Sequence, residues 1–237
     1  MNAHALSDAE TLGVRALQLS ADDADALQFM GLLRQTQVRD REAEDFYRRS
    51  LAVIPDQPGV RFNLGMMFYR SGRFADALAA LDAVRRLLHN DFDTLLLCGH
   101  VHQAAGDVAA AEEAFRLALQ AKPQSITVRQ YLGGLLADQG RGEEAERLLR
   151  EAFALNPRAP QQIATLQQFL GMALKKQRRL DEALRQFDAA EATSPSIATV
   201  DHCRGLTLQD KGDTEGALRS YRRALERNPL NILAHQE

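Results

Sequence analysis

Apolar and small residues recur along this chain with the period of an amphipathic helix, interrupted at regular intervals. In residues 92–125, Leu95, Cys98, Gly99 and His102 fall at i, i+3, i+4 and i+7, one face of a helix. Gly106 and Asp107 break that helix. Ala111, Phe115 and Ala118 mark the inner stripe of a second helix, and Pro123 ends it. The segment therefore reads as helix, turn, helix, turn.

The same reading repeats. Glycines stand at Gly31, Gly65, Gly99, Gly133, Gly171 and Gly205, spaced 34, 34, 34, 38 and 34 residues apart. Ala43, Ala77, Ala111, Ala145, Ala183 and Ala217 share those spacings. Prolines close five of the repeats at Pro55, Pro123, Pro157, Pro195 and Pro229, and His89 fills the remaining slot. Six repeats tile the chain as 24–57, 58–91, 92–125, 126–159, 164–197 and 198–231. The four extra residues at 160–163 equal about one helical turn. They should lengthen the first helix of the fifth repeat and place Pro160 in its first turn. Glycine inside a helix costs about 1 kcal/mol against alanine, so its recurrence implies close approach. The expectation is that each Gly nests against the facing Ala, with the helix backbone near Ala145 lying against Gly133.

Ala9 and Ala16 continue the register backwards, so residues 6–20 read as the second helix of a half-repeat. Ile232 to Glu237 begin a further first helix without a polar cap. That ending suggests the N-terminal part of a longer protein. Self-association through an uncapped C-terminal end is the other expectation it raises. The whole of 1–237 is read as a single repeat domain.

These features resemble the tetratricopeptide repeat family over nearly the whole chain. Its small residue in the first helix corresponds to the six glycines, and its early second-helix Ala to the six alanines. Its bulky residue four places later corresponds to Tyr47, Leu81, Phe115, Leu149, Phe187 and Tyr221. Three further on stand Ser50, Val84, Ala118, Ala152, Ala190 and Ala224, before the closing Pro. Where the family often has Trp, this chain has Leu27, Arg61, Leu95, Arg129, Gln167 and Asp201, which suggests looser packing there. The resemblance implies an all-α, right-handed superhelical solenoid.

Composition narrows the function. The 237 residues carry 29 Lys plus Arg against 32 Asp plus Glu, a net charge of −3, without the basic excess nucleic acid would favour. No signal-peptide or membrane-spanning pattern occurs. Two cysteines, Cys98 and Cys203, are too few for a disulfide framework and fit a reducing, cytoplasmic compartment. Catalytic, metal and cofactor motifs are not found. His89-Asn90-Asp91 spells H-x-D but falls in a turn between repeats. His100 and His102 point to different helix faces and make a poor metal pair. Cys98 lies on the packing face, and Cys203 has no evident neighbouring base. The expectation is a binding protein, not an enzyme.

One face of each first helix is left over after packing, at the second, fifth, ninth and twelfth places of the repeat. In tetratricopeptide proteins this face lines the concave ligand groove. Here the expected peptide-binding residues are Phe62, Asn63, Met66, Tyr69 and Arg70, then His100 and Gln103, then Tyr131, then Gln168, Phe169, Met172, Lys175 and Lys176. Phe62, Met66 and Tyr69 form an apolar patch of the kind that marks an interaction site. The glutamines suit an extended peptide backbone. Arg70, Lys175 and Lys176 should attract an acidic or mixed peptide. The competing expectation is that these side chains pack on one another. Neither the Lys, Arg and Asn set of chaperone-cochaperone repeats nor the Asn ladder of O-linked N-acetylglucosamine transferases is present. The implied function is a protein- or peptide-binding scaffold or adaptor. The alternative is a substrate-recruiting N-terminal arm of a larger bacterial oxygenase, sulfotransferase or glycosyltransferase, recognisable by a catalytic domain after Glu237.

Overall fold

A computed structural model describes residues 3–195 and 198–227. Thirteen helices and no strand occur among the described residues. A first helix, α1 (Ala3–Leu19), precedes six hairpins. The hairpins pair α2 (Ala24–Thr36) with α3 (Asp40–Val53), α4 (Pro58–Arg70) with α5 (Phe74–Leu87), and α6 (Phe92–Ala104) with α7 (Val108–Ala121). They continue with α8 (Ile126–Asp138) and α9 (Gly142–Ala154), α10 (Pro160–Lys176) and α11 (Leu180–Thr193), and α12 (Ala198–Lys211) and α13 (Thr214–Arg227). The class is all-α, built of helix-turn-helix repeats of the solenoid type. The hairpins cluster into two compact bodies, Met1–Ala121 and Lys122–Glu237. The further helix expected at 232–237 lies outside the described residues.

Local chemistry explains the helix boundaries. Asp23 caps α2 by accepting from the backbone N–H groups of Asp25 and Ala26 at 3.0 and 2.9 Å. Asp91 and Ser125 do the same for α6 and α8. Pro58 and Pro160 open α4 and α10, where their missing N–H costs nothing. The four inserted residues do lengthen α10, to 17 residues, with Pro160 in its first turn. Each turn within a hairpin closes on one left-handed residue. Gly72, Gly106, Gly140 and Gly212 serve in four of them, and Val38 and Arg178 in the other two.

The packing corrects the expected Gly–Ala contact. A Cβ built on Gly133 would stand 2.7 Å from Cγ of Leu149, and one on Gly31 would stand 2.6 Å from the Tyr47 ring. Gly65, Gly99, Gly171 and Gly205 face Leu81, Phe115, Phe187 and Tyr221 in the same way. The partner of each glycine is thus the bulky residue one turn after the alanine. An alanine opposite a glycine would leave a void, whereas a ring or isobutyl group lying on bare Cα fills the space at interior density. All six bulky residues are buried or half-buried, and the alanines are buried as well.

The looser packing expected at the Trp-like positions is also corrected. Leu27 and Leu95 are buried. Arg61 donates from Nε and Nη2 to the Pro55 carbonyl at 3.2 and 3.0 Å, and Arg129 donates to that of Pro123. Gln167 accepts from the Thr193 hydroxyl at 3.1 Å. Asp201, fully buried, accepts from Arg204 at 2.6 Å and Arg227 at 2.7 Å. Polar residues here tie the first helix to a neighbouring turn or helix, replacing the area a Trp would bury with directed bonds.

A charge relay joins successive hairpins. Glu44 on α3 accepts from Arg48 at 2.7 Å and from Arg73, at the start of α5, at 2.6 Å. Glu146 on α9 accepts likewise from Arg150 and Arg179, both at 2.7 Å. Glu10 on α1 stands at the same register and pairs with the buried Arg34 at 2.7 Å.

Candidate peptide-binding groove

In the first body, α4 carries most of the expected site. Phe62, Met66 and Tyr69 fall at i, i+4 and i+7, one face of the helix. Phe62 and Tyr69 are half-buried against the core cluster, and Met66 is 36% exposed. The Tyr69 ring packs on Phe74 of α5 with centroids 6.4 Å apart. Arg70 is exposed at the end of the same helix.

Asn63 has a structural partner. Tyr47, having crossed over Gly31, places its hydroxyl beside this face, where it donates to Gln35 at 3.0 Å. Burial pushes that hydroxyl up to about 12, opposed by its hydrogen bond with Asn63 and by the Arg70 charge. On α6, His100 sits edge-on to Phe115 with centroids 5.3 Å apart. Burial lowers its pKa below the ordinary histidine value, so it is neutral at physiological pH. Gln103 is exposed.

In the second body the same face is more closed. Tyr131 on α8 is half-buried. Phe169 on α10 lies over Gly134, whose added Cβ would stand 3.0 Å from the ring. Met172 is half-buried beside it in sequence register. Gln168 is buried and its carbonyl oxygen accepts from the Thr199 hydroxyl of α12 at 3.1 Å. Lys175 pairs with Asp210 of α12 at 3.2 Å. Lys176 is exposed and lowers the Asp138 carboxyl, which burial raises. Of the expected positive charges, Lys175 is therefore already answered within the chain.

Reading the sequence missed one device. A tyrosine that crosses a glycine needs a partner for its hydroxyl, and the twelfth place of the first helix supplies it. Tyr47 donates to Gln35, and Tyr221 donates to Gln209 at 2.9 Å. The signal was present, since the two repeats with Tyr at the bulky place both carry Gln at the twelfth.

Nucleophile chemistry finds no support at the two thiols. Burial pushes Cys98 and Cys203 each up to about 11, away from the thiolate form. Among the described residues no group of three His, Cys, Asp or Glu is placed to hold a metal ion. No described helix is long and apolar enough to cross a membrane.

Comparison with solved structures places this architecture. The Cut9-Hcn1 assembly of the APC/C matches 98% of the chain at a TM-score of 0.72 and 17% identity, and the chain covers 45% of that neighbour. The chain thus spans less than half of that protein's length. MamA from Desulfovibrio magneticus RS-1 matches 74% of this chain and 97% of its own, with a TM-score of 0.62 and 20% identity. YrrB, described as a tetratricopeptide protein with an unusual peptide-binding site, matches 80% of this chain and 96% of its own at 0.58 and 23% identity. No curated protein matches the sequence. Family profiles for the tetratricopeptide repeat match residues 30–91, 63–126, 102–170 and 204–229. Repeated matches along the chain, six glycine-centred hairpins and these neighbours agree: the chain belongs to the tetratricopeptide repeat family.

Proposed function

We propose that this chain is a protein-interaction scaffold that binds an extended peptide segment on the exposed face of its first helices. The observation that carries the reading is the α4 ledge. Phe62, Met66 and Tyr69 present one apolar stripe, and Met66 is exposed at its centre. Such a stripe beside a charged rim is the composition of a binding hot spot. Asn63 and Arg70 flank it with an amide and a cation. The peptide-binding description of YrrB and the assembly described for Cut9 are consistent with protein partners. On the second body, Tyr131, Phe169 and Met172 offer a face of similar composition by itself, with Lys176 supplying charge. His100 and Gln103 would contribute a neutral donor and an amide on α6. Gln168 and Lys175 serve there as supports, being engaged by Thr199 and Asp210.

The test selects peptides from a random library on the immobilised protein and measures their affinity for two variants. Tyr69→Ala combined with Arg70→Ala should weaken them at least about tenfold. Asp45→Ala, on the exposed side of α3, should leave them unchanged. Both variants must keep the helical content of the parent. Peptides that bind the double variant as tightly as the parent would remove this face from consideration.

A further inference from the structure

Position 28, counted from the repeat start, lies on the second helix of each repeat. It holds Leu51, Leu119, Phe153 and Leu225 in four repeats, but Glu191 and Arg85 in the other two. Leu51 packs on the core cluster of the first body. The two charged exceptions are treated in opposite ways.

Glu191, on α11, is answered within the chain. It accepts from Arg204 and Arg227, each at 2.8 Å, and from Arg223. Asp188 and Asp201 bring the acids to three against three arginines. Arg85, on α5, has no ion pair to another helix among the described residues. The positions that give Arg204, Arg223 and Arg227 around Glu191 give Cys98, Leu117 and Ala121 around Arg85. Among the described residues its one ion pair is a long contact of 3.5 Å to Asp82, with both side chains about half exposed. Arg86 follows it, and His89 stands where the other repeats have proline. Neither Arg86 nor His89 has an ion-pair partner among the described residues.

A cleft of about 390 Å³ opens at this place, lined by Arg85, Arg86, His89, Asn90 and the carboxylate of Asp82, with Leu95 and Leu117 as apolar walls. A smaller hollow of about 70 Å³ extends below it past Arg85 toward Cys98, His102 and Glu113. Where a leucine would fill the seam, this repeat places two guanidinium groups, an imidazole and an amide around open space, outnumbering the single Asp82 carboxylate.

We propose that this cleft docks an oxyanion, a carboxylate or phosphoryl group, borne by an acidic segment of a partner protein. The ligand would supply from outside the negative charge that the other seam supplies from Asp188, Glu191 and Asp201. Two adjacent guanidinium groups give forked donors suited to a carboxylate or phosphate. Leu95 and Leu117 give the stem of the acidic side chain an apolar bed and reduce competition from water. The cleft is built from α5, α6 and α7 and does not use the α4 ledge, so this inference stands apart from the groove reading.

Fluorescence anisotropy tests it with three labelled peptides of alternating alanine: one with glutamates, one with phosphoserines and one with glutamines. The glutamate or phosphoserine peptide should bind, the glutamine peptide should not, and binding should weaken with salt. Arg85→Leu with Arg86→Gln should raise Kd at least about tenfold. That variant should fold at least as well as the parent, because Arg85→Leu installs the side chain found at Leu51 and Leu119. The Asp45→Ala variant, on the exposed side of α3, should bind the acidic peptides as the parent does. Whichever acidic peptide binds tighter identifies the oxyanion, and displacement by inorganic phosphate would show the charge itself to be recognised. The proposal is overturned if the Arg85 and Arg86 changes leave Kd unchanged. Equal binding of glutamine and acidic peptides would overturn it too.

Discussion

The seam around Glu191 and the seam around Arg85 occupy the same register in two different repeats, yet they differ in how charge is settled. Around Glu191 three arginines and three acids close on each other, with Asp201 fully buried and Arg204 nearly so. Around Arg85 the corresponding places are a thiol, a leucine and an alanine, and open space remains. A repeat scaffold thus dictates where a side chain stands but not what it must be. A buried charge is tolerable when neighbouring repeats supply its partners. An exposed one can persist without them, and such a place is available for a ligand.

The largest effect should come from opening the closed seam. Asp201→Ala leaves Arg204 and Arg227 short of their shared acceptor in a buried site, at a cost of about 3 kcal/mol. Urea denaturation should show it as a lower midpoint. A loss below about 1 kcal/mol would mean the remaining acids satisfy these arginines unaided.

The within-repeat contact should be less permissive than the open seam around Arg85. Gly133→Leu drives a side chain into Leu149 and should cost about 1 to 3 kcal/mol through overpacking. Trimming the partner in the same chain, Leu149→Ala, should recover part of that loss when the double variant is compared with the two single ones. Strict additivity would separate the two residues.

The same substitution should then act with opposite sign at the two seams. Glu191→Leu removes an acceptor from three arginines and should destabilise by about 1 to 2 kcal/mol. Arg85→Leu should be neutral or stabilising by up to about 1 kcal/mol, since it buries aliphatic surface in the cleft. Thermal unfolding of the pair checks the contrast, and equal losses would dissolve it.

The smallest effect concerns the turns, where one register again carries different residues. Val38 holds φ at 60°, a conformation disfavoured for a β-branched residue, in the place that Gly72, Gly106, Gly140 and Gly212 fill elsewhere. Val38→Gly should gain about 0.5 kcal/mol, the relief of strain exceeding the added freedom of the unfolded chain. A lower melting temperature for this variant would show that the valine is held for another reason.

Much of the fold was legible before any coordinates. The period of 34, the helix pairs and the one-turn lengthening of α10 depend on residues near one another in the chain. Periodicity and turn chemistry report such local relations directly. The site was legible only as a face. Phe62, Met66 and Tyr69 were identifiable by their spacing, but Gln168 and Lys175 could not be seen to be engaged. Their partners, Thr199 and Asp210, lie on a different helix, more than 30 residues away.

The sequence by itself determined the helices, their order and the six recurring glycines. Only the tertiary structure decided what each glycine faces, because Ala and the bulky residue sit one turn apart on the same helix and either register satisfies the period. Filling space chose the larger one. The tertiary structure also decided which charges are answered. Asp201 meets Arg227 and Glu191 meets Arg223 across separate helices, while Arg85 meets only Asp82 one turn away. Burial and pairing are properties of surfaces brought together, and a linear pattern of residue types carries no record of which surfaces those are.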